Sequence, residues 1–501
     1  MRFCPLKIQQ SVVKHFFEKP QNVGIRGQVG LLLPPYGYAG WYVRWRNPCF
    51  TLIEKVRIFW HLHKAGKTME YAIAKGVFDI IPVERDPEEK WRESHRWQHV
   101  EEVIRKAAAE YCYQEIRTPI FERTELFVRG VGETSDIVSK EMYTFLDRGE
   151  RSMTLRPEGT AAVMRAFLEK KLHSQPGLYK YFYIGPMFRY ERPQAGRYRQ
   201  HHQFGVEAIG VGAPEQDAEI IDLACEIYRR LGLKNLNVMI NSVGDAASRA
   251  DYKAALTDYL TPYFAELSGD SQARFSKNIL RILDSKAAVD QQILKEAPSI
   301  LDFLSDESRV HFETVLKRLD QLKISYAVQP GLVRGLDYYS KTVFEVTSGE
   351  LGAQNSVCGG GRYDGLIATL DGPDLPGIGF GSGLERLIQT MLKQGAYFPE
   401  PPHPFLFFIP LGAAAMEHCF VLASHFRHQG IPTEMDASGR KVQQGLSLAS
   451  HCGAEYALVI GEDELASGRI TLKKMATRDT FDLTLEQLPA KIVELYQMAR
   501  A

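Results

Sequence analysis

The sequence has no net charge and no long apolar run, and both absences limit what the protein can be. Its 501 residues hold 61 Lys and Arg against 61 Asp and Glu. Without a global positive field, any contact with nucleic acid must come from local patches. No apolar stretch approaches the roughly 20 residues that a membrane-spanning helix needs, so we expect no membrane partner.

Cysteine is scarce, which argues against two kinds of site. The seven cysteines show no CxxC spacing and are Cys4, Cys49, Cys112, Cys225, Cys358, Cys419 and Cys452. A zinc site or a disulfide framework is typically marked by closer or patterned spacing. The pattern is typical of a reducing cytosol, so we expect a cytoplasmic protein without a protein-held metal.

Acidic residues are almost absent from residues 1–68, where only Glu18 and Glu54 occur. Transit peptides are basic and acid-poor, but they are rich in serine, and this stretch has only Ser11. We therefore interpret residues 1–68 as an extension without a packed fold. Globular patterning begins at Met69, so a start codon assigned too early would explain the extension, and we expect catalysis not to need it.

The rest of the chain divides by composition. A length of 501 residues predicts two to four domains. Residues 246–323 are rich in helix formers and predict a helical insertion between residues 69–245 and 324–398, which we assign to one core. A proline-rich linker follows, and residues 403–501 alternate strands with helices, which predicts a small α/β domain with a mixed sheet.

Residues 179–210, YKYFYIGPMFRYERPQAGRYRQHHQFGVEAIG, carry the least ordinary pattern. Two extended runs flank a polar tip with Pro193 and Gly196, which predicts a β-hairpin with a long loop. Four arginines crowd this hairpin: Arg189, Arg192, Arg197 and Arg199. A guanidinium among apolar residues needs an anionic partner, and a phosphate suits its fork. Solvated surface ion pairs are the alternative.

The return strand of the hairpin predicts a ligand-binding face. Gln203, Gly205 and Glu207 are two residues apart, so they share one face of the strand. We expect Gly205 to leave that face bare, so that a flat ligand could lie on it. Together with the apolar flanks of Arg189, this row favours a site for phosphate and a small molecule over a solvated hairpin.

A second candidate site lies in TLRPEGT, residues 154–160, where a strand pattern ends and an apolar helix begins. Gly159 would let a ligand approach the backbone amides. Glu158 and Thr160 could bind a ligand or could cap the helix, since both roles use the same residue types. The residues alone do not separate these two interpretations.

These segments resemble the class II aminoacyl-tRNA synthetases. The hairpin matches their motif 2, GIGFGSGLERLI (377–388) matches motif 3, and Pro119 fits motif 1. Three segments resemble the histidyl-tRNA synthetases in particular. They are FRYERPQAGRYRQHHQFGVE within the hairpin, LVRGLDYYSKTVFEVTS (332–348), and AQNSVCGGGRYDGL (353–366), a glycine turn that closes the pocket. RILDSK (281–286) resembles a signature of that family's insertion, although solvated helix charges would also explain it.

The resemblance covers residues 69 to about 498 and implies both fold and activity. It implies an α+β catalytic core of the class II synthetase fold, with an antiparallel sheet flanked by helices, and an anticodon-binding domain at residues 403–501. The implied reaction joins L-histidine to tRNA(His) through a histidyl-adenylate and releases AMP and diphosphate. ATP is then a substrate, Mg²⁺ bridges its β- and γ-phosphates, and the enzyme is a homodimer.

The resemblance also implies roles for individual residues. Arg189 and Arg334 would be catalytic, holding the α-phosphate and the charge that develops on it. The implied histidine-binding residues are Glu158, Gly159, Thr160, Gln203, Glu207, Arg334, Tyr338 and Tyr339. The implied ATP-binding residues are Arg189, Glu191, His201 and Arg386, and Arg192 and Gln194 would contact the tRNA.

The chain departs from the family at His201, where the family often has a phenylalanine that stacks on adenine. Imidazole stacks over less area, which puts ATP affinity in doubt.

Two non-catalytic alternatives would share the core: a regulatory paralogue of histidine biosynthesis and a tRNA-sensing module. Such paralogues usually lack the C-terminal domain and the ATP-contacting arginines. This chain has the domain, along with Arg189, Arg334 and Arg386.

Overall fold

The structure is a computed structural model. It describes residues 72–132, 135–174, 177–191, 197–333, 338–348 and 356–500, and the backbone of 28–32 and 40–44. The chain forms two compact units, Met1–Ile73 and Ala74–Ala501. In the first unit, β1 (Gln28–Leu32) pairs antiparallel with β2 (Gly40–Arg44). A two-stranded ribbon is marginally stable by itself, and the role of residues 1–68 stays a prediction.

The second unit contains the remaining strands and helices. Its strands are β3 (Gln114–Glu115), β4 (Phe121–Arg123), β5 (Tyr143–Leu146), β6 (Ser152–Leu155), β7 (Tyr179–Phe188), β8 (Gln200–Ile209), β9 (Leu236–Ser242), β10 (Tyr326–Val328), β11 (Ser340–Ser348), β12 (Ser356–Arg362), β13 (Gly377–Gly383), β14 (Leu406–Pro410), β15 (Thr433–Met435), β16 (Tyr456–Ile460), β17 (Arg469–Lys474) and β18 (Thr480–Thr484). Its α-helices are α1 (Ser94–Glu110), α2 (Thr124–Val131), α3 (Thr160–Glu169), α4 (Pro214–Arg230), α5 (Ala246–Leu260), α6 (Gly269–Phe275), α7 (Ala288–Leu294), α8 (Asp306–Gln321), α9 (Leu366–Thr369), α10 (Leu384–Lys393), α11 (Ala413–His428), α12 (Val442–His451), α13 (Glu462–Ser467) and α14 (Leu488–Arg500).

An eight-stranded sheet in the order β10-β9-β11-β12-β13-β8-β7-β3 forms the centre of the core. Its six inner strands pair antiparallel, as the resemblance implied. The edge strands depart from that pattern, since β3 runs parallel to β7 and β10 runs parallel to β9. A smaller antiparallel sheet in the order β4-β6-β5 also belongs to this unit.

Helices α1, α4 and α10 cover one face of the large sheet because each presents an apolar stripe to it. On α10, Leu384, Leu387, Ile388 and Met391 are buried at the spacing of one helix face. On β8, Phe204, Val206 and Ala208 pack into the same cluster. The alternating residues of β8 therefore point to the opposite face, where Gln203 and Glu207 lie, as their spacing predicted.

Residues 246–323 are helical, as predicted, and include short turns of 3₁₀ helix at Thr261–Tyr263, Ile279–Ile282 and Ile300–Phe303. The first part has its own core, but α8 packs Phe312, Val315 and Leu319 into the main cluster. The predicted mixed α/β sheet of the C-terminal region is present in the order β15-β14-β16-β17-β18. In the described part of the chain, no helix is long and apolar enough to cross a membrane.

A buried ion pair joins β12, α4 and α8. Arg362 and Asp217 are both fully buried and hydrogen-bonded through an Arg362 Nη2 to Asp217 Oδ1 contact, and His311 Nε2 lies 2.8 Å from Asp217 Oδ2. Burial by itself would raise the pKa of Asp217, but the His311 hydrogen bond and the Arg362 charge lower it below its ordinary value. Asp217 is therefore held as a carboxylate.

Replacing Arg362 by methionine should lower the free energy of unfolding by about 3–5 kcal/mol, because it leaves the Asp217 carboxylate buried without its cation. Denaturant unfolding followed by the fluorescence of the core residues Trp91 and Trp97 measures this change. Arg318→Met is the matched control.

Arg318 also binds α4, through Glu215 at 2.8 Å, but both of these side chains are exposed. The control should therefore lose no more than about 1 kcal/mol. Equal losses in the two variants would contradict a special role for the buried pair.

Candidate functional site

The predicted hairpin is present and longer than expected. Strands β7 and β8 pair antiparallel from Tyr179↔Ile209 to Phe188↔Gln200. Arg189 follows β7 directly, and its backbone N–H donates to the Arg199 carbonyl across the tip at 2.9 Å. The tip residues Arg192 and Gln194 lie outside the described residues, so their predicted tRNA contacts stay predictions.

Glu207 is the central acid of the site. Its side chain is 1% exposed, and both carboxylate oxygens accept hydrogen bonds. The Thr160 hydroxyl donates to Oε1 at 2.7 Å, and the Tyr363 hydroxyl donates to Oε2 at 2.5 Å. Burial raises the pKa of Glu207 to about 8. The side chain can therefore change between carboxylic acid and carboxylate near neutral pH.

Glu158 caps helix α3. Its two carboxylate oxygens accept from the backbone amides of Thr160, at 2.6 Å, and Ala161, at 2.9 Å. Burial raises the pKa of Glu158, although these two hydrogen bonds oppose the rise. Glu158 therefore caps the helix, which is one of the two interpretations of the sequence. A contact with the amino group of histidine stays a prediction for Glu158, Gly159 and Thr160.

The space over Gly205 is occupied by a protein side chain, and the expectation of a bare surface there was wrong. Tyr183 is the cross-strand neighbour of Gly205 in the β7–β8 ladder. A Cβ on Gly205 would lie 2.2 Å from the Tyr183 hydroxyl, and one on Gly159 would lie 2.3 Å from the same ring. Both glycines are needed because Tyr183 lies between them.

Two glycines of the 377–388 segment serve a similar purpose. Gly379 and Gly381 face Glu207 and Gly205 across the β13–β8 ladder. A Cβ at these glycines would lie 2.1 Å from Glu207 Oε2 and 1.7 Å from Gln203 Nε2. They make room for polar side chains of the protein. Within the described residues, Gln203 Oε1 is buried without a hydrogen-bond partner, so it can accept from a ligand.

Tyr338 joins this acidic end of the site. Its ring lies 5.8 Å from that of Tyr363, and both pack with Tyr183. Burial, with Tyr339, Glu158 and Glu207 nearby, raises the pKa of Tyr338 well above its ordinary value, so the phenol stays neutral. Tyr339 packs instead beside the insertion core, and its predicted contact with histidine stays a prediction.

The opposite end of the site is basic. Arg189 Nε donates to the Pro157 carbonyl at 2.8 Å, and Arg386 Nη1 donates to the Ser356 carbonyl at 3.1 Å. Burial lowers the pKa of His201 to about 3, and the charges of Arg189 and Arg386 act in the same direction. The His201 ring is therefore neutral. Glu191 forms an ion pair with Arg197 at 3.0 Å.

Models of known families match the chain over most of its length. The family model described as histidyl-tRNA synthetase matches residues 85–387, and the model described as anticodon binding domain matches residues 406–495. The histidine--tRNA ligase of Protochlamydia amoebophila is 60% identical over 420 residues, which cover 84% of this chain and 99% of the relative. The chain belongs to the histidyl-tRNA synthetase family.

Solved structures agree with this family at the level of fold. The apo histidyl-tRNA synthetase of S. aureus matches with a TM-score of 0.70 and 39% identity, covering 84% of this chain and 99% of that one. A Bacillus halodurans C protein described as an ATP phosphoribosyltransferase regulatory subunit/histidyl-tRNA synthetase matches with a TM-score of 0.56 and 21% identity, covering 79% of this chain and 99% of that one. At that identity the second match supports the fold alone.

Sequence reasoning missed two tyrosines of this histidyl-tRNA synthetase site. The sequence pattern places Tyr183 only in a hairpin strand and Tyr363 only in a glycine turn. The alternation along β7 could have identified Tyr183, because it places that ring on the Glu207 side. Tyr363 carried no such signal, since the contact joins residues 156 positions apart. Arg334, the other predicted catalytic residue, lies outside the described residues.

The affinity for histidine should rise about tenfold between pH 7 and pH 8.5, because this range ionises most of a group with a pKa near 8. A carboxylate accepts the imidazole N–H, whereas the protonated acid offers less acceptor capacity. Equilibrium binding of histidine without ATP measures the effect. Glu207→Gln is the control and should remove the rise, while ATP affinity should change little. A flat profile for the unmodified protein would contradict this role of Glu207.

Proposed function

We propose that the protein joins L-histidine to tRNA(His) in two steps. Histidine first reacts with ATP to form histidyl-adenylate and diphosphate, and the histidyl group then passes to the 3′ end of the tRNA, releasing AMP. The observation that carries this proposal is the polarity of the site. Buried acids and phenols form one end, and Arg189 with Arg386 forms the other.

The acidic end suits the amino acid. Glu207 in its ionised form would accept the imidazole N–H, and the neutral phenols around it offer both donors and acceptors. Gln203 Oε1, buried without a partner among the described residues, would accept from the ammonium group, and Glu158 would provide the opposite charge. A ligand that lacks these donors would leave buried acceptors unpaired, which is the strongest source of discrimination between substrates.

The basic end suits ATP. In the proposed reaction the histidine carboxylate attacks the α-phosphorus in line, so the protein mainly positions the groups and stabilises charge. Arg189 would hold the α-phosphate together with Arg334. Arg386 would reach the γ-phosphate, and the neutral His201 ring would stack on adenine.

Mg²⁺ is expected to arrive with ATP. In the part of the chain that the structure describes, no group of three His, Cys, Asp or Glu residues could hold a metal ion. Mg²⁺ in nucleotide sites needs only one or two carboxylates besides the phosphates. Glu191 is suited to that role, and the ion would neutralise charge on the β- and γ-phosphates when bound.

The remaining partners belong to the same proposal. The C-terminal domain would bind the anticodon, and Arg192 and Gln194 would contact the 5′ end of the tRNA. In that domain Arg440 is paired with Asp436 at 2.8 Å, so it is poorly suited to bind an RNA phosphate. A homodimer is supported by an exposed apolar group beside Pro119, formed by Ile120, Phe121, Phe145 and Leu146. We also propose a cytoplasmic location.

Diphosphate exchange into ATP, measured with each amino acid in turn, tests the function. We expect exchange with histidine alone, because the acidic end pairs the imidazole N–H with Glu207. Folded protein that shows no exchange with any amino acid would refute the proposal and favour the regulatory or tRNA-sensing alternative. Exchange with several amino acids would refute the histidine specificity.

Arg189→Ala should reduce the exchange rate about a hundredfold or more, because it removes a preorganised donor to the charge of the transition state. The same assay with saturating histidine measures the loss. Arg151→Ala is the matched control, since Arg151 is an exposed arginine paired only locally with Asp147. Near-normal exchange by Arg189→Ala would contradict the assignment.

A further inference from the structure

The segment RILDSK of the insertion has no part in the reaction proposed above, yet its first residue reaches the catalytic core. Arg281 Nη2 lies 2.9 Å from Asp136 Oδ2, and the Arg281 side chain is only 14% exposed. Arg274 Nη2 lies 3.8 Å from the same oxygen, and Arg274 Nη1 donates to the Arg281 carbonyl at 3.2 Å. Two guanidinium groups of the insertion thus converge on one carboxylate of the core.

Asp136 begins a short segment whose last residue, Glu141, contacts the hairpin at Tyr190. It precedes the single wide helical turn Ile137–Glu141. The Glu141 carbonyl at the far end of that turn accepts from the Tyr190 backbone N–H at 2.7 Å. Tyr190 stands between Arg189 and Glu191, both assigned to ATP. One turn of helix therefore connects the carboxylate held by the insertion to the backbone that carries two ATP-binding side chains.

The contacts of the Tyr190 side chain support this connection. Its ring packs edge-on against Tyr143 at 5.6 Å, and the Arg199 guanidinium lies 4.1 Å above it. Tyr143 follows the Ile137–Glu141 turn closely in the chain. Tyr190 is thus held to this turn through both its backbone and its side chain, so a shift of the turn would move Tyr190 with it.

The insertion does not depend on Arg281 for its own core. Tyr252, Leu256, Leu260 and Ile282 form a separate apolar cluster. Asp290 is fully buried in the insertion and accepts from the hydroxyls of three serines at 2.5–2.6 Å: Ser268, Ser271 and Ser285. The Arg281–Asp136 pair therefore acts between the insertion and the core.

We propose that Arg281 and Asp136 are positioning residues for adenylation, and that their ion pair sets residues 189–191 of the hairpin for ATP. This inference rests on the proposed function. Loss of the pair frees the turn and lets Arg189 and Glu191 shift, and a small misplacement of such groups has large effects on rate. Histidine affinity is not affected, because Glu207 is held by Thr160 and Tyr363.

A double-mutant cycle in the diphosphate exchange assay tests this role. Asp136→Asn and Arg281→Gln should each lower kcat/KM for ATP about tenfold and leave KM for histidine unchanged. The double variant should be no worse than the poorer single variant, because both changes remove the same interaction. Arg281→Lys keeps the charge and should retain most of the activity.

Lys140→Gln is the matched control. Lys140 Nζ also lies near Asp136, at 3.5 Å, but it belongs to the same turn and its side chain is 76% exposed. It should leave kcat/KM for ATP unchanged. A loss in Lys140→Gln as large as in Arg281→Gln would assign the effect to local charge and overturn the proposal.

Hydrogen–deuterium exchange provides a readout besides activity. The Tyr190 amide should exchange faster in Asp136→Asn than in the unmodified protein, while amides in the insertion core should not change. Any one of four results would overturn the proposal. These are an unchanged rate of deuterium exchange at Tyr190, an unchanged kcat/KM for ATP, additive losses in the double variant, and a loss of thermal stability that accounts for the lost activity. Failure of the unmodified protein to exchange diphosphate with histidine would instead refute the proposed function.

Discussion

The close contact between β8 and β13 is the constraint on which the site depends. Glu207 and Gln203 lie in the interior of a sheet face, where side chains of ordinary size on the neighbouring strand would displace them. On β13, Gly379 is the register partner of Glu207, and Gly381 is the partner of Gly205, the next residue after Gln203 on the same face of β8. Because these positions lack a Cβ, two polar side chains fit where the space is otherwise closed. The acid is then shielded from water, which is why its pKa rises to about 8.

The two ends of the site are fixed to consecutive residues of one segment. The Pro157 carbonyl accepts from Arg189, and Glu158 caps α3 through the amides of Thr160 and Ala161. The distance between the acidic and basic ends is therefore set by a strand–helix junction and not by long flexible side chains. Such preorganisation is what a reaction dominated by positioning and charge stabilisation requires.

The insertion contacts the core near both ends of the site. Arg249 Nη1 on α5 donates to the Tyr339 carbonyl at 3.2 Å, beside the tyrosines of the acidic end. Arg281 contacts Asp136, and the turn that follows Asp136 contacts Tyr190 at the basic end. The buried Arg362 in turn fixes the end of β12, directly before Tyr363. In each of these contacts an arginine guanidinium donates hydrogen bonds to backbone or carboxylate oxygens. The planar guanidinium fixes the direction of such contacts.

The sequence by itself determined the hairpin, the shared face of Gln203 and Glu207, the helical insertion and the mixed sheet of the C-terminal region. These follow from local periodicity and turn residues, so short segments suffice to predict them. It could not determine that Tyr183 would fill the space over Gly205, or that Tyr363 would donate to Glu207. Those contacts depend on the register between strands far apart in the chain, which local pattern does not specify. The purpose of the glycines in β13 was decided in the same way, because a missing side chain has meaning only once its neighbour is known.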